Sequence, residues 1–298
     1  MKLLITGAWK CTQEQLLEIE RKGHSIVFMQ NEKDCLPCEY GEVEGVICNG
    51  LFLYHPLENF TNLRYIQLTS AGFDRVPMDY IQNHGIQIHN ARGVYSIPMA
   101  EFAINGVLQL YKQSWFFYEN QKTRTWKKHY GLLELCGKTV CIVGCGHIGT
   151  ECAKRFQAFG CRIIGVDLLP RFDDKYHNIL PFSSFDEGLK VADIVILTLP
   201  LTNDTRHLMN KERFQKMKNG SILVNISRGA VIEEKALLQA LDGKLSGAVL
   251  DVFEQEPLNE SSPLWQKDNV IITPHNSFVG DGNLDRLNQL IGANLEKL

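Results

Sequence analysis

Three short stretches of this 298-residue chain put reactive side chains where sheet strands are expected to end. They read Asn225-Ile-Ser-Arg228-Gly229, Leu250-Asp251-Val-Phe-Glu254-Gln-Glu256-Pro257 and Ile272-Thr-Pro-His275-Asn276. Ligands of an open parallel sheet bind outside the carboxyl ends of its strands, so Arg228, Glu256 and His275 are expected to converge on one crevice. Arg presents two parallel donors to a carboxylate. His delivers or removes a proton near neutral pH. A Glu beside it orients the ring and favours the imidazolium. The set suits proton transfer on a small substrate that carries a carboxylate. Singly, each residue has a plainer reading: a structural ion pair for Arg228, a loop charge for Glu256, a hydrogen-bonded core side chain for His275. Their joint occurrence favours chemistry.

A second motif says what stands beside that crevice. Gly144-Cys145-Gly146-His147-Ile148-Gly149 follows an apolar, β-branched run at 138–143 and precedes a stretch with helical spacing at 150–159. A further apolar run, 162–166, then ends at Asp167. Strand, Gly-rich turn, helix, strand and acid in this order form a dinucleotide-binding fingerprint. Gly144 permits the tight turn, Gly146 lets the backbone approach a pyrophosphate, and Gly149 lets helix and strand pack closely. The helix N-terminus offers free N–H groups and a positive dipole end to the phosphates. A carboxylate at 167 accepts bonds from the ribose hydroxyls and repels a 2′-phosphate, so NAD is expected and NADP is less favoured. Arg171, four residues on, is the feature that would suit NADP.

The elements that must position these residues alternate along the chain. Strands are expected at 2–6, 25–29, 45–48, 64–68 and 86–89, with a helix at 13–22 among them, an alternation that argues for a parallel sheet of flavodoxin type. Residues 99–111, after Ile97-Pro98, form a helix apolar nearly all round, expected to be buried on most sides and to cross between domains. The segment 112–137 carries Trp115, Phe116, Phe117, Tyr118, Trp126 and Tyr130 among basic residues. It reads as a dimerisation arm rather than a base-stacking surface. Strands at 191–199, 221–226, 247–252 and 270–273, a helix at 233–241 and a closing amphipathic helix at 284–298 complete the pattern.

Composition narrows the class. The chain is 44% hydrophobic and 22% charged with a net charge of −3, ordinary for a globular protein. No block of one charge sign points to nucleic acid or a membrane surface, and no apolar run approaches the ~20 residues of a membrane span. The opening Met1-Lys-Leu-Leu-Ile-Thr-Gly reads as a first strand rather than a signal peptide. Nine scattered cysteines, an odd number, suit free thiols in a reducing cytoplasm. Cys35-Leu-Pro-Cys38 has redox-motif spacing but reads as a surface loop, and no second ligand pair calls for a metal. Cys145 sits near a helix N-terminus, which could lower its pKa and make it oxidation-sensitive, although filling the turn is the simpler role.

With these blocks in order, the sequence resembles the NAD-dependent D-2-hydroxyacid dehydrogenases over nearly its whole length. Gly144–Gly149 with Asp167 looks like the family's cofactor fingerprint, and Leu199-Pro-Leu-Thr-Asn-Asp-Thr205 like its cofactor loop. The stretches holding Arg228, Glu256 and His275 look like its three catalytic blocks. Ser70-Ala-Gly-Phe-Asp74 and Asn90-Ala-Arg-Gly-Val-Tyr-Ser96, followed by Ala100-Glu101, look like its substrate-domain blocks. The resemblance implies an α/β chain of two doubly wound parallel-sheet domains. One is a flavodoxin-like substrate domain, 1–97 plus 282–298, and the other a Rossmann NAD-binding domain, 98–281, with the active site in the cleft between them. It implies that Arg228 holds the substrate carboxylate and carbonyl, and that His275 is the acid/base with Glu256 as its partner. Backbone N–H groups of Ser70, Ala71 and Gly72 would hold the far carboxylate oxygen. Gly144, Gly146, His147, Ile148, Gly149, Asp167, Leu199, Pro200, Thr205 and Ile226 would line the cofactor, and Asp251 would bind the nicotinamide carboxamide.

The expected activity is hydride transfer between NAD(H) and a small 2-keto or D-2-hydroxy acid of the glyoxylate or hydroxypyruvate kind, by a homodimer. The phosphoglycerate dehydrogenase branch of the family grips a phosphate with substrate-domain arginines. The corresponding stretches here, Cys48-Asn-Gly-Leu-Phe52 and Gln67-Leu-Thr-Ser70, contain none, although Arg75 and Arg92 are near. A 3-phosphoglycerate dehydrogenase is therefore the first alternative. An NAD-sensing, corepressor-like scaffold is the alternative from another class.

Overall fold

A computed structural model describes residues 1–298, which divide into two compact units, Met1–Tyr95 with Gly280–Leu298 and Ser96–Val279. The first unit begins with β1 (Lys2–Thr6), α1 (Gln13–Arg21), β2 (Ser25–Met29), β3 (Gly45–Cys48), β4 (Tyr65–Leu68), α2 (Met78–Asn83) and β5 (Gln87–His89). All its strand pairs are parallel, in the order β2-β1-β3-β4-β5. Side chains alternate across the pleat. Leu3 and Ile5 of β1 join one core with Ile19, while Leu4 joins the other with Val46, Cys48 and Ile66. Thr12 caps α1 by accepting the Gln15 N–H, and Gln15 returns the bond to the Thr12 N–H, a reciprocal cap that fixes where the helix starts.

The second unit contains α3 (Ser96–Tyr111), α4 (Ser114–Lys122), β6 (Thr139–Val143), α5 (His147–Ala158), β7 (Arg162–Asp167), β8 (Asn178–Pro181), α6 (Phe185–Val191), β9 (Ile194–Leu197), α7 (Lys211–Lys216), β10 (Ser221–Asn225), α8 (Glu234–Leu241), β11 (Leu245–Leu250) and β12 (Val270–Ile272). Its seven strands are parallel in the order β12-β11-β10-β9-β6-β7-β8, the doubly wound arrangement, with cores on both faces. The last helix, α9 (Asn283–Leu295), belongs to the first unit. Its Leu287, Ile291 and Leu295, spaced four apart, pack with Leu3 and Ile5. Burying each of these side chains contributes about 1.5–3 kcal/mol.

The two parallel α/β sheets are the fold class expected from the sequence. Several local readings change. Val191 ends a helix rather than starting a strand. Phe185, Gly188 and Leu189 of α6 are buried at three-and-four spacing, and the next strand begins only at Ile194. The short elements β8, α6, α7 and α2 had no clear sequence period because each spans seven residues or fewer. No helix is long and apolar enough to cross a membrane.

Candidate active site

Strand order in the second unit reverses between β6 and β9, and the turns that follow these strands lie side by side there. Thr198, just beyond β9, donates its hydroxyl to the Gly144 carbonyl at 2.7 Å, tying the two turns together. Gly144 has φ +98°, and a β-carbon on it would sit 2.9 Å from the Leu199 nitrogen. A β-carbon on Gly149 would sit 2.2 Å from the Gly144 carbonyl oxygen, so helix and turn touch through bare backbone. Gly146 differs: nothing lies within 4 Å of its missing β-carbon. It is the N-cap residue of α5 and offers no side chain to cap the helix, so the backbone at this positive helix end can be approached closely. Open space before an uncapped helix N-terminus fits a dinucleotide pyrophosphate.

Asp167 closes β7 beside that turn. Its Oδ2 accepts the Cys145 N–H at 2.7 Å and its Oδ1 accepts the Leu169 N–H at 3.0 Å. Arg171 donates to the Cys145 carbonyl at 3.1 Å. Cys145 itself turns inward and is 3% exposed. Burial pushes its thiol up to about 12, so the lowering suggested by its place before a helix does not occur. It fills the space beneath the turn. Thr205 closes the loop after β9 by donating to the Pro200 carbonyl at 2.7 Å and accepting the Thr202 N–H at 2.7 Å. Leu199 and Ile226 are core side chains, which leaves their backbone as the part able to meet a cofactor.

The structure brings together Glu256 and His275, the pair expected to act as acid and base. Glu256 Oε2 lies 2.8 Å from His275 Nδ1, and Glu256 Oε1 accepts the Phe253 N–H at 3.0 Å. Because Nδ1 faces the carboxylate, Nε2 is the ring atom left for proton exchange. His275 has φ +51°, unusual for a residue with a side chain. Asp251 holds it there. The Asp251 backbone oxygen accepts the His275 N–H at 2.8 Å. Its fully buried carboxylate accepts the Thr273 hydroxyl at 2.7 Å, the Asn276 N–H at 2.7 Å and the Ser277 N–H at 3.0 Å. The resemblance expects Asp251 on the nicotinamide carboxamide; in this structure its carboxylate also clamps the histidine loop.

Arg228 reaches the same neighbourhood through a residue that sequence reasoning passed over. A β-carbon on Gly229 would lie 1.8 Å from the Phe253 carbonyl carbon and 2.3 Å from the Glu254 nitrogen. The turn carrying Arg228 is therefore pressed, backbone to backbone, on the segment that carries Glu256. Asn225 shapes this turn, its Oδ1 accepting the Ser227 N–H at 3.1 Å and its Nδ2 donating to the Arg228 carbonyl at 3.0 Å. The only sequence signals were a glycine next to the arginine and an Asn two residues before a Ser.

In the first unit, Ser70, Ala71 and Gly72 form a turn after β4 whose carbonyls are committed inward. They accept the Ala91 N–H at 2.9 Å, the Asn90 amide at 2.6 Å and the Ser70 hydroxyl at 3.2 Å.

Residues 104–277 match the family described as "D-isomer specific 2-hydroxyacid dehydrogenase, NAD binding domain". The chain belongs to this family. It is 36% identical over 243 residues to a glyoxylate reductase of Thermofilum pendens, covering 78% of this chain and 71% of that one. It is 36% identical over 222 residues to a D-3-phosphoglycerate dehydrogenase of Methanocaldococcus jannaschii, covering 74% of this chain and 42% of that one. Among solved structures, a D-lactate dehydrogenase of Aquifex aeolicus complexed with NAD and lactic acid superposes with a TM-score of 0.78 at 28% identity, covering 99% of this chain and 96% of that one. This D-2-hydroxyacid dehydrogenase is thus an NAD-dependent oxidoreductase that transfers hydride between the nicotinamide and a 2-keto or 2-hydroxy acid.

Proposed function

We propose that this dehydrogenase reduces a small, unphosphorylated 2-keto acid of the glyoxylate or hydroxypyruvate kind to the D-2-hydroxy acid. The observation that carries this reading is the 2.8 Å contact between Glu256 and His275, with the Arg228 turn locked against the same segment. Bound NADH supplies the hydride to the carbonyl carbon. His275 donates a proton from Nε2 to the carbonyl oxygen, and Glu256 holds the ring and offsets the imidazolium charge. Arg228 takes the substrate carboxylate and carbonyl oxygen through its guanidinium fork. We assign the other carboxylate oxygen to the N–H groups of Ser70, Ala71 and Gly72. Gly144, Gly146, His147, Ile148 and Gly149 hold the pyrophosphate, and Asp167 the ribose.

The absence of arginine from 48–52 and 67–70 supports an unphosphorylated substrate. Segment 112–137 supports a homodimer: Trp126 is 99% and Tyr130 89% exposed, side chains suited to cover by a second subunit. Nine free cysteines support a reducing, cytoplasmic setting. A panel of 2-keto acids, followed by loss of NADH absorbance, tests the reading. Glyoxylate or hydroxypyruvate should lead. A kcat/KM for 3-phosphohydroxypyruvate above theirs by more than about tenfold would transfer the assignment to phosphoglycerate oxidation.

A further inference from the structure

The carboxyl edge of the first sheet holds a carboxylate that the proton-transfer pair does not use. Glu32 lies three residues beyond the end of β2. Its Oε1 accepts the Thr6 hydroxyl at 2.7 Å and the Asn49 N–H at 2.7 Å, and its Oε2 accepts the Gly50 N–H at 2.7 Å. Thr6 closes β1, and Asn49 and Gly50 follow β3. Three neighbouring strand ends therefore meet on this one side chain, at the β1–β3 border where the strand order reverses. Such a border is where an open α/β sheet receives its ligand. Two successive backbone N–H groups in a turn make a small concave anion site. Here an internal carboxylate already fills it.

The arrangement is held from behind. His55, 5% exposed, contacts the Glu32 carbonyl through Nε2 at 3.1 Å, and the Tyr40 hydroxyl meets its Nδ1 at 2.9 Å. The next strand along, β4, is in register with β3 and runs on into the Ser70–Gly72 turn. The Thr69 N–H bonds the Cys48 carbonyl at 2.8 Å. Adjacent strands lie about 4.8 Å apart, so Glu32, at the β1–β3 border, stands on the same sheet edge as the turn after β4 assigned to the substrate carboxylate. The stem of Arg75 crosses Gly50, its Cδ 3.8 Å from where a β-carbon would stand.

We propose that Glu32 is a specificity-determining residue: its carboxylate fills the Asn49–Gly50 N–H pair and closes this edge to keto acids that bring a second anionic group, a phosphate above all. The proposal rests on the reading of an unphosphorylated substrate and names what enforces it. A phosphate entering here meets a like charge and finds both backbone donors taken, and rejection of that kind discriminates between substrates without strengthening the grip on the preferred one. Removing the charge lifts that repulsion, and removing the side chain also uncovers two N–H groups beside an arginine, the makings of an anion site.

The test uses the full chain and its Glu32→Gln and Glu32→Ala variants. kcat/KM is measured for hydroxypyruvate and for 3-phosphohydroxypyruvate at saturating NADH, with inorganic phosphate as a competitor. Glu32→Gln should raise the ratio of phosphorylated to unphosphorylated turnover by about tenfold or more, through KM of the phosphorylated compound, as loss of a like-charge contact implies. Inorganic phosphate should become a competitive inhibitor of the variant. A merely structural glutamate would lower both substrates together and leave the ratio alone. Where Glu32→Gln proves unstable, the same ratio read from Glu32→Ala decides. A wild type that favours 3-phosphohydroxypyruvate refutes the substrate class. A wild type that rejects it, with an unmoved ratio and no phosphate inhibition in either variant, refutes the role of Glu32 alone.

Discussion

Replacing Gly229 by Ala tests whether the active-site geometry depends on backbone contact between the Arg228 turn and the Glu256 segment. The added β-carbon would stand 1.8 Å from the Phe253 carbonyl carbon, 2.1 Å from its oxygen and 2.3 Å from the Glu254 nitrogen. All three are backbone atoms, so no side chain can swing aside. Ordinary carbon contact then requires the two segments to part by about 2 Å. Glu256 is anchored in the displaced segment through the Phe253 N–H, and His275 is held at 2.8 Å by Glu256. A misplacement of about 1 Å at a reacting group costs roughly 10² in rate. Gly229→Ala should therefore lower kcat/KM by about 10². Overpacking should cost about 1–3 kcal/mol, seen as a fall in Tm of about 2–4 °C per kcal/mol for a unit of this size. NADH affinity, read by quenching of protein fluorescence, should stay near wild type because the Gly144 turn is not touched. Adding Glu256→Gln to Gly229→Ala should cost much less than Glu256→Gln alone, since the pair is already broken. A folded Gly229→Ala enzyme with kcat/KM within about threefold of wild type would refute the reasoning.

His275→Ala should lose about 10²–10⁴ in reduction while still binding NADH, and Glu256→Gln should lower kcat for reduction while leaving NADH affinity near wild type. The variant weakens the contact that orients the ring at 2.8 Å, so an unchanged kcat beside the wild type would remove Glu256 from the mechanism. Asp167→Ala should narrow the preference for NADH over NADPH, because it removes both the ribose contact and the repulsion of a 2′-phosphate; equal use of the two cofactors by the wild type would contradict this. Burial of Cys145, with its thiol pushed up to about 12, should keep it unalkylated at neutral pH, and its reaction should rise only as pH approaches that value or the chain unfolds. The exposed Cys35 and Cys136 should label first, as peptide mass mapping would show.

Much of this molecule was legible in the residues alone. The Gly144–Gly149 turn, the acid at 167 and the parallel α/β class follow from local rules, because a tight turn needs glycine and buried parallel strands need continuous apolar runs. The three reactive stretches were also visible, since strand ends are where such sheets bind ligands. Tertiary packing decided the rest. Only the fold shows that Glu256 touches His275 across nineteen positions of sequence, that Gly229 presses on Phe253, or that the Asp251 carboxylate holds the loop beyond β12. The short elements α2, β8, α6 and α7 owe their form to neighbours, having too few residues to show a period. Cys145 makes the contrast plainly: its place before a helix suggested a reactive thiol, while burial against β7 raises the cost of its charged form. Glu32 is the same lesson from the other sheet. An acid after a strand is unremarkable in a sequence, and its meaning comes from three strand ends brought within hydrogen-bond reach, because sequence periodicity sets which face a residue takes but not which distant backbone groups it will meet.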